Sequence, residues 1–314
     1  MRPVLAKGFL QGGISGAVGT TSEWARGAMR DVLREGRLSW AFIAGDLSSA
    51  VVPALLFSLA AWKSDGARWD ELPSVLGRSL LYFWLYIYAF CLPNQITAIE
   101  EDRRNKPYRP LVVGAVSLRG AWVRWLVVMV AFSIVGAWLG VFAYTLLWQV
   151  LIIGSNILGG ARSWVFKNLS MSLGIVAQLG AAWQMMIPLT PTAWRWILLP
   201  AVVIFPLISL QDLRDVEGDR VIGRRTFPLV FGERATRILL GIAFALLPLA
   251  VHGAVMGPSG ARWSVWMCEG TLALMALVIA ARVLLLRSKS ADHHTYMFLT
   301  YWYCLLLVSA IVIL

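Results

Sequence analysis

Long apolar runs alternate with short polar segments along the chain. Windows of about 19 residues predict nine membrane spans, near Leu38 to Trp62, Gly77 to Ile99, Gly120 to Trp138, Val141 to Leu158, Asn168 to Leu189, Ala193 to Leu210, Arg237 to Val255, Trp263 to Leu286 and Thr295 to Leu314. Roughly 20 apolar residues cross the hydrocarbon layer, and a helix satisfies its own backbone there. The pattern therefore predicts an all-α integral membrane protein with nine transmembrane helices.

An N-terminal arm, residues 1–37, precedes the predicted transmembrane domain of residues 38–314. From Trp24 to Leu33 apolar residues recur at helical spacing, and arginine recurs on the opposite face. Such a helix is typical of the membrane surface. The glycine-rich stretch Gly8 to Gly19 lacks the strand and helix context of a phosphate loop, so we expect it to be a flexible terminus.

Composition and charge agree with a membrane protein. Hydrophobic residues make up 59% of the 314 residues and charged residues 14%, against roughly 25% charged residues in soluble domains. If the N-terminus is cytoplasmic, about 23 of the 28 Lys and Arg residues fall on the cytoplasmic side, as the positive-inside rule expects. The net charge of +11 is thus a topology signal. We expect membrane lipid around the protein, no nucleic acid, and no particular protein partner.

Carboxylates recur in the loop after the sixth predicted span. Asp212, Asp215 and Asp219 stand at i, i+3 and i+7, which on a continuous helix places them within about 60° of one another. Like charges at this spacing repel, so the pattern favours a bound counter-ion. Oxygen ligands without His or Cys favour Mg²⁺ over zinc.

A second polar cluster follows the second predicted span. Asn94, Glu101 and Asp102 share one helical face with Ala98, and we expect this face to oppose the three aspartates across the bundle. Both clusters are then candidate Mg²⁺ ligands. Basic residues flank the two loops and are natural partners of substrate phosphates: Lys106, Arg109, Arg224 and Arg225. The alternative is that both loops are solvated connections without a ligand.

At these residues the chain resembles the UbiA superfamily of intramembrane prenyltransferases and related terpene cyclases. The run from Asp212 to Thr226 is similar to the second motif of that family, and residues 103–110 resemble the tail of its first motif. The resemblance implies a central cavity, open to the cytoplasmic side, that binds an isoprenoid diphosphate through Mg²⁺. It also implies a diphosphate-binding role for Lys167, although a lysine at a helix end also snorkels to the interface.

The first motif departs from the prenyltransferase pattern, because Gln95 and Ala98 stand where that pattern has aspartates. The resulting run resembles the terpene cyclase branch of the superfamily. This implies a Mg²⁺-dependent, class I type cyclase that ionises farnesyl or geranylgeranyl diphosphate (C15 or C20) and cyclises the carbocation, releasing diphosphate. The alternative is a prenyltransferase that uses an aromatic acceptor. A transporter is a rival from another class, but the charges here lie at helix ends and not at mid-membrane.

Aromatic and acidic residues inside the predicted spans are further candidates. Ring faces attract cations, so we expect aromatic side chains to line the cavity, with simple packing as the alternative: Tyr82, Trp84, Tyr88, Trp148, Trp183, Tyr301 and Trp302. Asp46 falls inside the first predicted span, where a carboxylate costs about 2.5–3.5 kcal/mol on insertion scales and usually faces the protein interior. We predict a catalytic role for Asp46 and for the polar residues of the two motifs: Asn94, Asp102, Asp212, Asp215 and Asp219.

Overall fold

A computed structural model describes the backbone of residues 12–314, together with the side chains of residues 26–104 and 106–314. Helices make up most of the described chain. In chain order they are α1 (Gly12–Ile43), α2 (Leu47–Ser64), α3 (Leu72–Thr97), α4 (Ile99–Asn105), α5 (Leu118–Trp138), α6 (Phe142–Ile152), α7 (Trp164–Gln184), α8 (Pro191–Leu207), α9 (Ser209–Leu213), α10 (Val216–Val221), α11 (Phe227–Phe231), α12 (Glu233–Val251), α13 (Trp263–Leu285) and α14 (Lys289–Ile313). A π-helical turn, Ile153–Ile157, extends α6.

Seven helices among the described residues are long and apolar enough to cross a membrane: α2, α3, α5, α12, α13, α14 and the segment formed by α8 with α9. The two other predicted spans coincide with α6 and its π turn, a shorter apolar helix, and with α7, which has 21 residues. The prediction of an all-α membrane protein is confirmed. Nine membrane crossings remain a prediction.

Small residues allow the central helices to pack closely. Helix α2 packs against α3, α7 and α14, while α7 also packs against α8. Buried alanines stand where α2 meets its neighbours, including Ala54 and Ala61, and α7 buries Ala177 and Ala181. Without a hydrophobic driving force between helices in lipid, close backbone approach at small residues is a main source of association. This central group of helices encloses the site described below.

The first predicted span is wrong at its N-terminal end. Residues 38–43 belong to the 32-residue helix α1, and the backbone turns at residues 44–46 before α2 begins at Leu47. Asp46 is therefore the residue that precedes α2 and does not lie inside a span. The stretch Gly12 to Gly19 is helical, so the predicted flexible terminus is wrong there, and Gly8 to residue 11 lies outside the described residues. Whether α1 lies in the membrane surface stays a prediction.

Both acidic motifs lie on interrupted helices, contrary to the continuous helices expected from their spacing. Ala98, with φ −116° and ψ 22°, separates α3 from α4. Arg214 and Asp215 separate α9 from α10 in the same way. Each break changes the direction of the helix between polar residues that nevertheless line the same cavity, between Asn94 and Asp102 in the first motif and between Asp212 and Asp219 in the second.

Candidate active site

One cavity of about 270 Å³ lies between α2, α3, α7 and α14 and is bordered at one end by α4, α9 and α10. Its wall contains six carboxylates and four basic side chains, all near that end. These residues are Asp46, Glu101, Asp102, Asp212, Asp215, Asp219, Lys106, Arg109, Lys167 and Arg224. Asn94 and Ala98 line the same region. The two motifs, which more than a hundred residues separate in the sequence, thus meet at one end of the cavity. We call this end, with the ten charged residues named above, the acidic end.

Lys167 joins the first turn of α7 to the second acidic motif. Its ammonium group forms an ion pair with Oδ1 of Asp212, whose side chain is buried. The other carboxylate oxygen, Oδ2, is also buried and has no hydrogen-bond partner. An unpaired buried carboxylate oxygen costs free energy, so this oxygen has a strong tendency to gain a cationic ligand.

Arg109 organises the first motif. One of its guanidinium nitrogens donates to both oxygens of the buried Asp102, at 2.8 and 2.7 Å. The same nitrogen lies 3.5 Å from Oδ1 of Asn94. Asn94 in turn donates to Oδ1 of Asn156 at 3.3 Å. Asn94 and Asp102 are therefore held on opposite sides of the break at Ala98 by one cation.

Arg224 connects the two motifs directly. Its guanidinium group contacts Glu101 of the first motif at 3.0 Å and Asp219 of the second motif at 3.3 Å. Arg224 also stands next to Gly223, whose φ of +70° turns the chain back toward the cavity after α10. Because Arg224 and Arg109 each bind an acid of the first motif, the acidic end is a network of alternating charges.

Burial makes the charged form of these acids costly. It raises the pKa of Asp219 to about 6, against the opposing effect of the Arg224 guanidinium. Burial also raises the pKa of Glu101, with Arg224 opposing, and the pKa of Asp102, with Arg109 opposing. The pKa of Lys106 is lowered, again mainly by burial. Desolvated carboxylates of this kind are stabilised by bound cations.

The remaining acids have weaker partners. Asp215 accepts a hydrogen bond from Nε of Arg214 at 3.2 Å, and the Arg214 guanidinium lies over the ring of Tyr296 at 4.8 Å. Asp46 accepts a hydrogen bond from the thiol of Cys91 at 3.4 Å. Both carboxylates line the cavity. The side chain of Asp46 is partly exposed and lies at the beginning of α2, on the cavity wall.

Aromatic rings form the wall beyond the acidic end. Tyr86 and Trp148 stack with ring centroids 4.5 Å apart and an angle of 4° between their planes, and Phe90 also stacks with Trp148, at 5.4 Å between ring centroids. The Trp148 indole donates to the Tyr86 carbonyl oxygen at 3.0 Å, while the Tyr86 hydroxyl donates to that of Gly174 at 2.9 Å. These bonds fix the electron-rich rings of Tyr86 and Trp148 along the cavity, and Phe90 packs against Trp148.

Trp148 lines this cavity, whereas the six other aromatic residues expected to line it lie outside the cavity wall: Tyr82, Trp84, Tyr88, Trp183, Tyr301 and Trp302. Each has another environment. The Tyr82 hydroxyl bonds with Thr145, and the Trp84 ring stacks near Trp40. Tyr88 packs beside Phe42, Trp183 beside Phe57, and Trp302 donates to a backbone carbonyl. Tyr301 is about half exposed. Apolar spans contain many aromatic residues, and the sequence does not tell which face of a helix meets the cavity.

Arg225 differs from the other predicted phosphate-binding residues, because its exposed side chain is not part of the cavity wall. Its backbone forms a short parallel bridge with Ser163. The Arg225 amide donates to the Arg162 carbonyl at 2.8 Å, and the Trp164 amide donates to the Arg225 carbonyl at 3.0 Å. Arg225 thus has a structural position that ties the second acidic loop to the start of α7.

The chemistry of the acidic end suits Mg²⁺. No three carboxylate, imidazole or thiol groups among the described residues converge closely enough to hold a metal in this conformation, because Lys167, Arg109 and Arg224 each pair with a carboxylate. The donors nevertheless are oxygens, and one of them is the unpartnered Oδ2 of Asp212. Mg²⁺ binds through few carboxylates, waters and substrate phosphates, so the residues fit it by chemistry and not by preformed geometry.

Several residues of the cavity wall were missed from the sequence. Asn156 and Ser155 reach it from the π-helical turn after α6, and Tyr86, Gln178 and Tyr303 reach it from long apolar helices. A π turn is frequent at functional sites, but its position is not readable from composition. The available signal was the presence of Gln178 and Asn156 as amide side chains within apolar runs.

Comparison with known proteins agrees with this arrangement. A family model described as the UbiA prenyltransferase family matches residues 50–302. The chain belongs to this family. The resemblance predicted from the motifs is therefore confirmed, and the matched region contains both acidic motifs and most of the length of the helices around the cavity.

Curated relatives include terpene cyclases and a transferase. The family member is 44% identical to somaliensene A/B synthase of Streptomyces somaliensis, over 93% of this chain and 97% of that protein. It is 35% identical to the diterpene cyclase eriG of Hericium erinaceus, over 88% of each chain. The polyprenyl transferase eriF of the same fungus is 33% identical, over 88% of this chain and 94% of its own. Similarity thus extends over almost the whole length of each protein.

A solved structure has the same fold. It is that of a UbiA homologue from Archaeoglobus fulgidus bound to GPP and Mg²⁺, with a TM-score of 0.64 over 88% of this chain and 99% of the other. The sequence identity is 14%. This likeness establishes the UbiA-like helical bundle for the chain.

Proposed function

We propose that this family member is a Mg²⁺-dependent terpene cyclase that ionises a linear C15 or C20 prenyl diphosphate and cyclises the carbocation. One observation carries the proposal: a single cavity combines a charged acidic end with a wall of stacked aromatic rings. The names of the two relatives at 44% and 35% identity support cyclisation. The archaeal homologue with bound GPP and Mg²⁺ supports a metal-bound diphosphate.

The diphosphate lies at the acidic end in this proposal. Mg²⁺, held by Asp212, Asp215 and Asp219 with help from Asn94 and Asp102, would neutralise charge that develops on the diphosphate as the bond to the allylic carbon breaks. Lys167 and Arg224 are already in the cavity wall and offer N–H donors to the phosphate oxygens. They stabilise the leaving group without a change of protonation.

The hydrocarbon chain lies among the aromatic residues. Tyr86, Phe90 and Trp148 present ring faces, and such faces stabilise a cation by about 2 kcal/mol or more when water is excluded. Backbone hydrogen bonds hold Tyr86 and Trp148 in place, so the rings need little reorganisation as the charge develops. Exclusion of water by the apolar wall also protects the carbocation from early capture.

Transfer of the prenyl group to an aromatic acceptor is the second candidate, supported by the 33% identity with a polyprenyl transferase. The acidic end is the same in both reactions, so it does not discriminate between them. We favour the cyclase because the first motif has Gln95 and Ala98 where the prenyltransferase pattern has aspartates. Gln95 does not line the cavity, and its amide instead donates to the Phe42 carbonyl at 2.9 Å.

The proposal is tested with detergent-purified protein and Mg²⁺. The protein is incubated with C10, C15 and C20 prenyl diphosphates without an acceptor, and organic extracts are analysed by gas chromatography with mass detection. We expect a cyclic hydrocarbon or alcohol that disappears with EDTA and returns with excess Mg²⁺. A product that forms only after addition of an aromatic acceptor would establish the transferase instead, and no product under either condition would refute both.

The membrane orientation is part of the same proposal. We infer that the acidic end faces the cytoplasm, because the basic residues concentrate in the segments on that side. Cysteines introduced singly at exposed Glu217, beside the second motif, and at exposed Asp70, between α2 and α3, provide matched positions. Labelling of intact cells with a membrane-impermeant thiol reagent is expected only at position 70. Labelling at position 217 alone would reverse the orientation.

A further inference from the structure

A polar pair lies in the aromatic part of the cavity, away from the acidic end. Gln178 of α7 and Tyr303 of α14 are both buried and both line the cavity. The Tyr303 hydroxyl donates to Oε1 of Gln178 at 3.0 Å, and Nε2 of Gln178 donates to the Ala50 carbonyl of α2 at 2.5 Å. Three helices therefore meet at this pair.

The pair lies well beyond the diphosphate-binding residues. Gln178 follows Lys167 by eleven residues of α7, which is about 16 Å along the helix axis. Tyr303 follows Tyr296, which lies beneath Arg214 of the second motif, by seven residues of α14, or about 10 Å. Tyr86 and Trp148 line the same part of the cavity. A prenyl chain with its diphosphate at the acidic end extends toward Gln178 and Tyr303.

Hydrogen bonding fixes the direction of the Tyr303 hydroxyl. Its one hydrogen is given to Gln178, and Gln178 is itself anchored on the backbone of α2. Because the hydroxyl acts as the donor in this bond, the lone pairs of the phenol oxygen are not used in it. The ring also has a fixed orientation beside the cavity. Buried polar side chains within membrane helices are costly and are usually functional. Packing alone would be served by an apolar residue at either position.

We propose that Tyr303, held by Gln178, is a specificity-determining residue that stabilises the carbocation at one position and so selects which cyclic product forms. This inference rests on the proposed cyclase function. Gln178 acts as a positioning residue, because it fixes the hydroxyl and ring of Tyr303. Ionisation takes place at the acidic end, so loss of either side chain changes the product distribution more than it changes the release of diphosphate.

The test compares Tyr303→Phe and Gln178→Leu with matched controls. Tyr301→Phe removes a hydroxyl from a half-exposed tyrosine of the same helix, outside the cavity. Gln184→Leu removes an exposed glutamine of α7 that bonds to the Gly140 carbonyl. Total diphosphate release and the ratio of products are measured on the same prenyl diphosphate.

We expect both cavity variants to change the ratio of products by about fivefold or more, the size expected from a weakened interaction between a ring or hydroxyl and a cation. Diphosphate release is expected to stay within about threefold of the wild type, since the acidic end is untouched. The double variant should resemble either single variant, because the two side chains act as one unit. The controls should keep the wild-type ratio.

Unchanged products in both cavity variants, with wild-type cyclisation intact, would overturn this inference alone. A parallel loss of products and diphosphate release in folded Tyr303→Phe protein would also overturn it, since it would assign the pair to ionisation. If the wild type forms no cyclic product from any prenyl diphosphate, the proposed function fails and the inference fails with it.

Discussion

Lys167 and Asp212 form an ion pair that leaves one oxygen of the buried carboxylate without a partner. The lysine comes from the first turn of α7, and the aspartate from α9, which continues directly from α8. The pair therefore joins two chain segments at the acidic end of the cavity. With a metal-bound diphosphate at this point, the metal would bind the unpaired oxygen of Asp212. The ammonium group of Lys167 would then contact both Asp212 and the phosphate.

Replacement of Lys167 tests the importance of this cation. Lys167→Gln removes the charge and leaves Asp212 without its cation, so we expect kcat/KM for a prenyl diphosphate to fall about 100-fold, as for loss of one electrostatic contact to a leaving group. Lys289→Gln is the control, because Lys289 also lies in the first turn of a helix but is exposed and outside the cavity. Steady-state kinetics checks both, and equal effects of the two changes would refute a special role for Lys167.

The second acidic motif gives a matched test within one loop. Asp215→Asn keeps the shape of a cavity residue and removes a carboxylate, so we expect turnover to become undetectable while the purified protein remains folded. Glu217→Gln changes an exposed carboxylate two residues away that does not line the cavity, and we expect it to retain activity. Product formation and thermal unfolding in detergent are the measurements. Full activity of Asp215→Asn would remove this carboxylate from the proposed metal site.

A glycine fixes the position of the aromatic stack. A Cβ added at Gly174 would lie 2.7 Å from Cζ3 of Trp148, so Gly174→Ala must displace the indole ring or the helix. We expect a loss of about 1–3 kcal/mol in the free energy of unfolding, typical of an overpacked core, together with an altered ratio of products. Gly270→Ala is the control, because a Cβ there meets no atom within 4 Å. Wild-type stability and products in Gly174→Ala would contradict the rigid placement of Trp148.

A buried ion pair outside the cavity tests the helix frame. Arg237 of α12 binds both oxygens of Asp292 of α14 at 2.8 Å and also donates to the Val283 and Leu286 carbonyls. Asp292→Ala leaves a buried guanidinium without its counter-charge, and we expect a loss of about 3–5 kcal/mol in the free energy of unfolding. Asp70→Ala, at an exposed position, should have little effect. Equal melting temperatures for the two variants in detergent would refute this account.

Much of the architecture was predictable because bilayer thickness imposes long apolar runs. Nine spans were predicted, and seven helices among the described residues are of membrane length, while Asp102, Asp212 and their neighbours share one cavity wall. The positions of breaks were not predictable. The turn that ends α1 contains one glycine, Gly45, and no proline, and a single glycine is common within transmembrane helices.

The aromatic wall shows the limit of sequence reasoning most clearly. Tyr82, Tyr86 and Phe90 lie four residues apart on α3. Tyr82 nevertheless bonds to Thr145, while Tyr86 and Phe90 line the cavity. In a soluble helix the polar face marks the outside, but a membrane helix is apolar toward lipid and toward its neighbours alike. The face that meets a cavity is therefore set by packing, which a single sequence does not display.

The short backbone bridge between Ser163 and Arg225 has a mechanical consequence for the whole acidic end. It fastens the segment that carries Lys167 to the segment that follows Asp219, by main-chain hydrogen bonds and not by side chains. The distance between Lys167 and Asp219 consequently depends on the number of residues between Asp219 and Arg225. A residue inserted between Asp219 and Arg225 would shift the register of the bridge, and the enzyme would lose its alignment although every side chain at the cavity had been kept.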